Sequence, residues 1–232
     1  MLLLAIDTSG RNGSVALARA AEAKPEVEVV EAVALAGGTF SAQLVPQISE
    51  LLAKHGHTKS DISGFAVVNG PGSFTGLRVG LAAVKALGEV LQKPIAAVSL
   101  LEAVASLSRN PSRRVLAAFD AGRAEVYVGE YELSDPLLGD WPQMWSERLL
   151  TRDEFLSDAR AAGAHIVTSD GLLAELIRAA GVFCEQVTYP GSEVIANLGW
   201  RRILGGRVVP PDELEANYIR RSDAEIFSQS RH

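Results

Sequence analysis

The chain has 232 residues, 47% of them hydrophobic and 22% charged, with 28 acidic against 22 basic side chains and a formal net charge of −6. Such a length and apolar content suit one large or two small folded domains and exclude a mostly disordered chain. The acidic balance, with basic residues only in scattered pairs (Arg113-Arg114, Arg201-Arg202, Arg220-Arg221), argues against a protein that grips nucleic acid by itself. One cysteine, Cys184, cannot form an internal disulfide and suits a reducing compartment. Its neighbours Val182 and Phe183 suggest a buried strand. The apolar start, Met1 to Ile6, has no basic segment and meets Asp7 at once, so it reads as a strand rather than a leader. No apolar run reaches the roughly 20 residues of a membrane span, and a soluble cytoplasmic protein is expected.

Leu2 to Ile6 is a continuous apolar run, the pattern of a central strand covered on both faces. A polar turn, Asp7 to Gly13, leads into a second strand from Ser14 to Ala18. Val27 to Leu35 reads as a third, with Glu26, Glu28 and Glu31 marking a partly wet face. Ser41 opens a helix with the stripe Leu44, Ile48, Leu51 and Leu52; Pro46 lies near its first turn and Gly56 ends it. Phe65 to Val68 is the next strand. It runs into Asn69-Gly70-Pro71-Gly72-Ser73-Phe74-Thr75-Gly76 and a long helix from about Thr75 to Gln92. Pro94 to Val98 is a short strand, and Ser99-Leu100-Leu101-Glu102 is a capping box that starts a helix. Ser108 to Ser112 is the best linker candidate.

Beyond it, Val115 to Phe119 and Glu125 to Tyr131 read as strands around a turn at Asp120 to Arg123. Thr151-Arg152-Asp153-Glu154 is a second capping box. Ile166-Val167 is a short strand. Helices follow at Leu172 to Ala180, closed by Gly181, and at Ser192 to Leu204, closed by Gly205-Gly206.

One feature organises these elements. Leu3-Leu4-Ala5-Ile6-Asp7 aligns with Leu116-Ala117-Ala118-Phe119-Asp120, and each run is followed by a turn with Gly and Arg and then a second strand. Two halves that open on the same Asp-tipped hairpin resemble the actin/Hsp70/sugar-kinase superfamily. That resemblance implies an α/β fold of two similar lobes of the actin/Hsp70 (ribonuclease H-like) type, each a mixed sheet flanked by helices. The expected lobes are residues 1–110 and 111–232, with the last residues, about 20 of them, packing back on the first lobe. In such a fold Asp7 and Asp120 would orient Mg²⁺ or water while turn N–H groups hold phosphate. Equally, both can simply end buried strands and accept turn N–H bonds.

The loop Asn69 to Gly80 joins a strand to a helix. Its glycines, a helix N-terminus and the hydroxyls of Ser73 and Thr75 could receive an anion. It matches neither the Walker A nor the dinucleotide spacing. The spacing therefore favours a tight turn capped by Thr75 over phosphate binding. Asp7, Thr8, Ser9, Gly70, Gly72, Ser73, Thr75 and Asp120 are kept as weak cofactor-binding candidates.

Asn69 to Gly80 followed by Leu81 to Leu91 is similar to the signature of the TsaB (YeaZ) family. Ala5 to Ser9, Val98 to Ala103 and Asp120 to Tyr127 agree with it, as does Asn217-Tyr218-Ile219-Arg220. Departures stand at Gly122 (often Arg), Asn217 (commonly Pro) and Phe40 (often His); the last removes a ligand candidate. The resemblance implies a non-catalytic partner of TsaD, the larger relative that transfers a threonylcarbamoyl group to a tRNA adenosine. It also implies a TsaE-type ATPase in the assembly, a homodimer through the same helices, and contact with tRNA only through the complex.

Independent chemistry finds little support. Of the four histidines, His55 and His57 are two apart past a helix end, His165 begins a strand and His232 is last, so no metal pair of helical spacing exists. This counts against a chelator-sensitive metallopeptidase. No Gly-x-Ser-x-Gly elbow is present. Ser169-Asp170-Gly171 lacks the paired glycines that seat adenosine in the superfamily, so a degenerate cleft is expected, with no cofactor. The alternative is an ATP-dependent small-molecule kinase or ATPase using Asp7 and Asp120.

Gly76 to Leu91 is apolar nearly all round, with charge only at Arg78, Lys85 and Glu89. A surface helix should have one wet face. Either both sides of this helix pack inside the lobe or one side meets a partner; the family resemblance favours the partner. The expected interface residues are Leu44, Ile48, Leu51, Gly76, Gly80, Ala83, Val84 and Leu87.

Overall fold

The computed structural model describes residues 1–22, 24–109, 114–133 and 143–219. Arg113, Arg220, Arg221, His232 and most of the linker candidate (Asn110 to Ser112) lie outside the described residues. Among the described residues two compact units emerge: Met1–Ala103 with Pro190–Ala216, and Val104–Tyr189 with residues 217–219.

The first unit is built on a five-stranded sheet of order β3-β2-β1-β4-β5. Its strands are β1 (Leu2–Asp7), β2 (Gly13–Arg19), β3 (Glu28–Leu35), β4 (Ile62–Gly70) and β5 (Ile95–Ser99). β1, β2 and β3 form an antiparallel meander, and β4 and β5 add in parallel. β1 is buried at every position, which is why its sequence reads as an unbroken apolar run rather than an alternation.

Helices cover both faces of this sheet, and the alternation of side chains along each strand decides which residue meets which helix. Ile6 and Ile95 meet α2 (Phe74–Leu91) at Gly80 and Gly88, whereas Ala66 and Ala96 meet α6 (Ser192–Leu204) at Gly199. α1 (Phe40–Lys54) packs beside α2 and against β2. Trp200 of α6 is buried, and its indole N–H donates to the carbonyl of Lys24 at 2.9 Å.

The second unit repeats the plan. Its sheet has the order β10-β9-β6-β7-β8. The strands are β6 (Arg114–Gly122), β7 (Glu125–Glu132), β8 (Gln143–Thr151), β9 (His165–Thr168) and β10 (Cys184–Gln186). β6, β7 and β8 are antiparallel neighbours, and β9 and β10 add in parallel. Read outward from β1 or β6, the two sheets have the same connectivity, so the Asp7 and Asp120 hairpins are topological equivalents. The two-lobed ribonuclease H-like expectation thus holds. The core is Leu116, Val126, Val128, Phe155 of α4 (Arg152–Ala162), Ile166, and Leu173 and Ile177 of α5 (Gly171–Ala179).

Local differences from the sequence reading have plain causes. β8 is an edge strand with Met144 and Trp145 exposed, so it lacks the alternation that identifies a half-buried strand. α2 begins at Phe74 and is capped by Ser73, whose Oγ accepts the Gly76 N–H at 3.3 Å; Thr75 is inside the helix. β6 and β7 run further than expected and turn through Arg123 and Ala124, both at positive φ (55° and 57°). Phe183 points outward while Val182 and Cys184 on either side are buried. Burial pushes the Cys184 thiol up to about 11, which makes it unreactive at neutral pH.

Candidate functional site

The turn after β1 and the glycine loop after β4 meet at one end of the first sheet. Asp7, Thr8 and Ser9 are 0%, 1% and 2% exposed. Asp7 Oδ1 accepts the Ser9 N–H at 2.8 Å and the Ser9 hydroxyl at 2.6 Å. The Thr8 hydroxyl donates to the Gly76 carbonyl at 2.8 Å, and the Ser73 N–H donates to the Ser9 carbonyl at 2.7 Å.

The glycines make this contact possible. A Cβ on Gly72 would stand 2.5 Å from the Ser9 carbonyl oxygen, one on Gly76 2.0 Å from that of Thr8, and one on Gly80 2.4 Å from Thr8 Oγ1. Gly76 and Gly80, four residues apart on α2, form a bare ridge pressed against the turn, and Gly72 meets it from the loop before the helix. Phe40 at the start of α1 closes the same corner: its ring lies 2.9 Å from where a Cβ on Gly13 would be and 3.4 Å from one on Gly76. The structure therefore brings Asp7, Thr8, Ser9, Gly72 and Ser73 together, with Gly70 ending β4 nearby and Thr75 exposed. Their donors hold the chain to itself. Asp120, two residues before the end of β6, is ion-paired with Arg152 at 3.0 Å within its own unit.

The expected interface residues divide. Leu44, Ile48, Leu51 and Val84 are buried in the lobe's own core, and Gly76 and Gly80 face the turn. These side chains are taken up by the lobe's own packing and are not open anchors. Ala83 and Leu87 are half-buried on the flank. The outward face of α2 instead carries Thr75, Ala82, Ala86 and Val90, the last 73% exposed, with Val79 half-buried on its flank. Beside it α1 turns out Ala42, Val45 (58% exposed), Pro46 and Ala53. Two neighbouring helices thus turn small and apolar side chains outward, among them Ala82, Ala86, Val90, Ala42, Val45 and Pro46, with Arg78, Glu89, Ser49 and Glu50 exposed beside them. A hydrophobic period shows that α2 has two apolar faces but not which is inward. The signal available was the glycine row 72, 76, 80: close approach is useful only on the packed side.

In the second unit, Glu185 collects the His165 imidazole at 2.8 Å, the Ser108 hydroxyl at 2.7 Å and the Arg109 N–H at 2.9 Å. Burial alone would raise its pKa, but these hydrogen bonds outweigh that and hold the carboxyl below its ordinary value. His55 pairs with Glu31 at 2.7 Å. Among the described residues no group of three or more His, Cys, Asp or Glu could hold a metal ion, and no helix is long and apolar enough to cross a membrane.

Comparison with known proteins agrees with this architecture. Residues 34–143 match the family model described as "TsaD: tRNA N6-adenosine threonylcarbamoyltransferase". The tRNA threonylcarbamoyladenosine biosynthesis protein TsaB of Bacillus subtilis (strain 168) is 33% identical over 159 residues, covering 64% of this chain and 67% of that protein. TsaB of Escherichia coli (strain K12) is 28% identical over 232 residues, covering 97% and 96%. The solved structure of YeaZ from Pseudomonas aeruginosa superposes with a TM-score of 0.73 at 26% identity, covering 94% of this chain and 99% of that one. With the repeated Asp-tipped lobes and the glycine ridge under α2, these matches place the chain in the TsaB (YeaZ) family of tRNA threonylcarbamoyladenosine biosynthesis proteins.

Proposed function

We propose that this protein is a non-catalytic partner subunit that binds and stabilises a TsaD-type threonylcarbamoyl transferase in the formation of threonylcarbamoyladenosine in tRNA. The observation that carries this reading is the set of exposed apolar side chains that α1 and α2 turn outward side by side. The anchors are Val45, Pro46, Ala82, Ala86 and Val90, in place of the buried Leu44, Ile48, Leu51 and Val84. Burying such a face between helices needs shape more than charge. The transferase family model matches the segment that contains both helices. A partner built on the same helices would offer a like face, and so would a second copy of this chain, so homodimer and heterodimer would compete for it. A TsaE-type ATPase joins the assembly elsewhere. The net charge of −6 leaves tRNA to be held by the partner, in the cytoplasm.

The alternative, a kinase or ATPase, needs donors at the Asp7 turn and a carboxylate at Asp120. The Thr8 hydroxyl is engaged with α2, the Ser9 N–H and hydroxyl with Asp7, and Asp120 with Arg152. The deciding experiment is size-exclusion chromatography with a TsaD-type subunit, followed by a tRNA threonylcarbamoylation assay with and without this chain. Complex formation, with activity that depends on a chain inert by itself, supports the partner role. Turnover of ATP by the isolated chain overturns it.

A further inference from the structure

We propose that the turn Asp7 to Ser9 is a latch that sets the position of α2, and through it the geometry of the outer α1–α2 face, with Thr8 and Gly80 as positioning residues. This rests on the partner reading above.

Thr8 is buried and has no part in the outer face. Its hydroxyl donates at 2.8 Å to a carbonyl inside α2, 68 residues on, and its Oγ1 would lie 2.4 Å from a Cβ on Gly80. The Ser73 N–H to Ser9 carbonyl bond ties the start of the same helix to the same turn. Asp7 in turn fixes Ser9 through two hydrogen bonds to one oxygen. The contact therefore has no slack: α2 rests on the turn, backbone to backbone. The exposed Ala82 and Ala86 stand on the side of the helix away from the buried Gly80 and Val84. A packed helix moves as a body. Displacing its inner row tilts or lifts its outer row, and a face of small side chains that binds by close fit is sensitive to such shifts. In this account the hydroxyl-bearing turn, which in a nucleotide-binding relative would serve a ligand, is used to hold a helix.

The test measures the affinity of the full chain for a TsaD-type subunit by calorimetry, alongside the melting temperature of the chain alone. Thr8→Val keeps the shape and removes the hydrogen bond, Thr8→Ser keeps the bond, and Gly80→Ala pushes helix and turn apart. The reference is Ile203→Ala, which loosens the opposite face of the same sheet at Gly64. Expected is an affinity loss of about tenfold for Thr8→Val and at least that for Gly80→Ala, with Thr8→Ser near wild type. Ile203→Ala is expected to lower the melting temperature without weakening the complex. A wild-type complex that Thr8→Val and Gly80→Ala leave intact, or that Ile203→Ala weakens equally, overturns the latch. Absence of a wild-type complex overturns the partner reading and the latch's role with it.

Discussion

Glu102 and Arg202, a hundred residues apart, form an ion pair inside the first unit in which the Glu102 side chain is 3% exposed. Ser99 to Glu102 reads in the sequence as a capping box, and Ser99 Oγ does accept the Leu101 N–H at 3.2 Å. The carboxylate, though, is also the point where α6 is tied to the start of the helix that follows β5. Removing the cation alone leaves a buried charge short of a partner. Arg202→Met is expected to cost about 3 kcal/mol in urea denaturation. Replacing both residues, as Glu102→Leu with Arg202→Met, should recover most of that loss. A double variant as unstable as the single one would show that the pair has another role.

The two faces of α2 should respond in opposite ways to a charge. Val84 is fully buried, so Val84→Asp is expected to destabilise the lobe by about 3 kcal/mol or more. Ala86 is exposed, so Ala86→Glu should stay within about 0.5 kcal/mol of wild type. In the partner reading, Ala86→Glu nevertheless abolishes the complex. Circular dichroism melts and chromatography of the two variants separate the effects.

Arg123 and Ala124 occupy the left-handed region at the tip of the β6–β7 hairpin, where a two-residue turn demands positive φ at both positions. An L side chain there is strained by about 1–2 kcal/mol, while glycine costs some entropy. Ala124→Gly should raise stability by about 0.5–1 kcal/mol, read as an upward shift in the denaturation midpoint at unchanged slope.

Glu185 links β10 to His165 and to the backbone at Arg109. Its folded-state pKa is held below the ordinary 4.5. The ionised form is therefore favoured by the fold, and this stabilisation is fully present above about pH 4.5 and lost as pH falls through the depressed folded value. Glu185→Gln should be less stable than wild type at pH 7, with the difference shrinking toward pH 3. Parallel urea titrations at the two pH values check this; a constant difference would mean that the carboxylate's charge is not what matters.

Much of the fold was legible because its strands carry strong local signals. β1 and β6 are apolar runs ending in Asp, and their alignment foretold two sheets of like connectivity. The Thr151 and Glu154 box was readable because a capping box is a local arrangement, and both of its hydrogen bonds form. β8 was not readable, since an edge strand with exposed Met144 and Trp145 leaves no alternation.

By itself, the sequence determined the two Asp-tipped hairpins, the helices and the glycine row, since these depend on spacing and on residue type. It also determined the family, through the ordered run Asn69 to Gly80. Only the tertiary structure decided which side of α2 is inward, because an apolar period has no direction until Thr8 and Ser9 claim the glycine ridge. It also decided that α6 lies against the first sheet, since nothing local in Ser192 to Leu204 distinguishes the sheet it covers. Orientation and long-range pairing arise from packing that unites residues far apart in the chain, and that information is not written in any one segment.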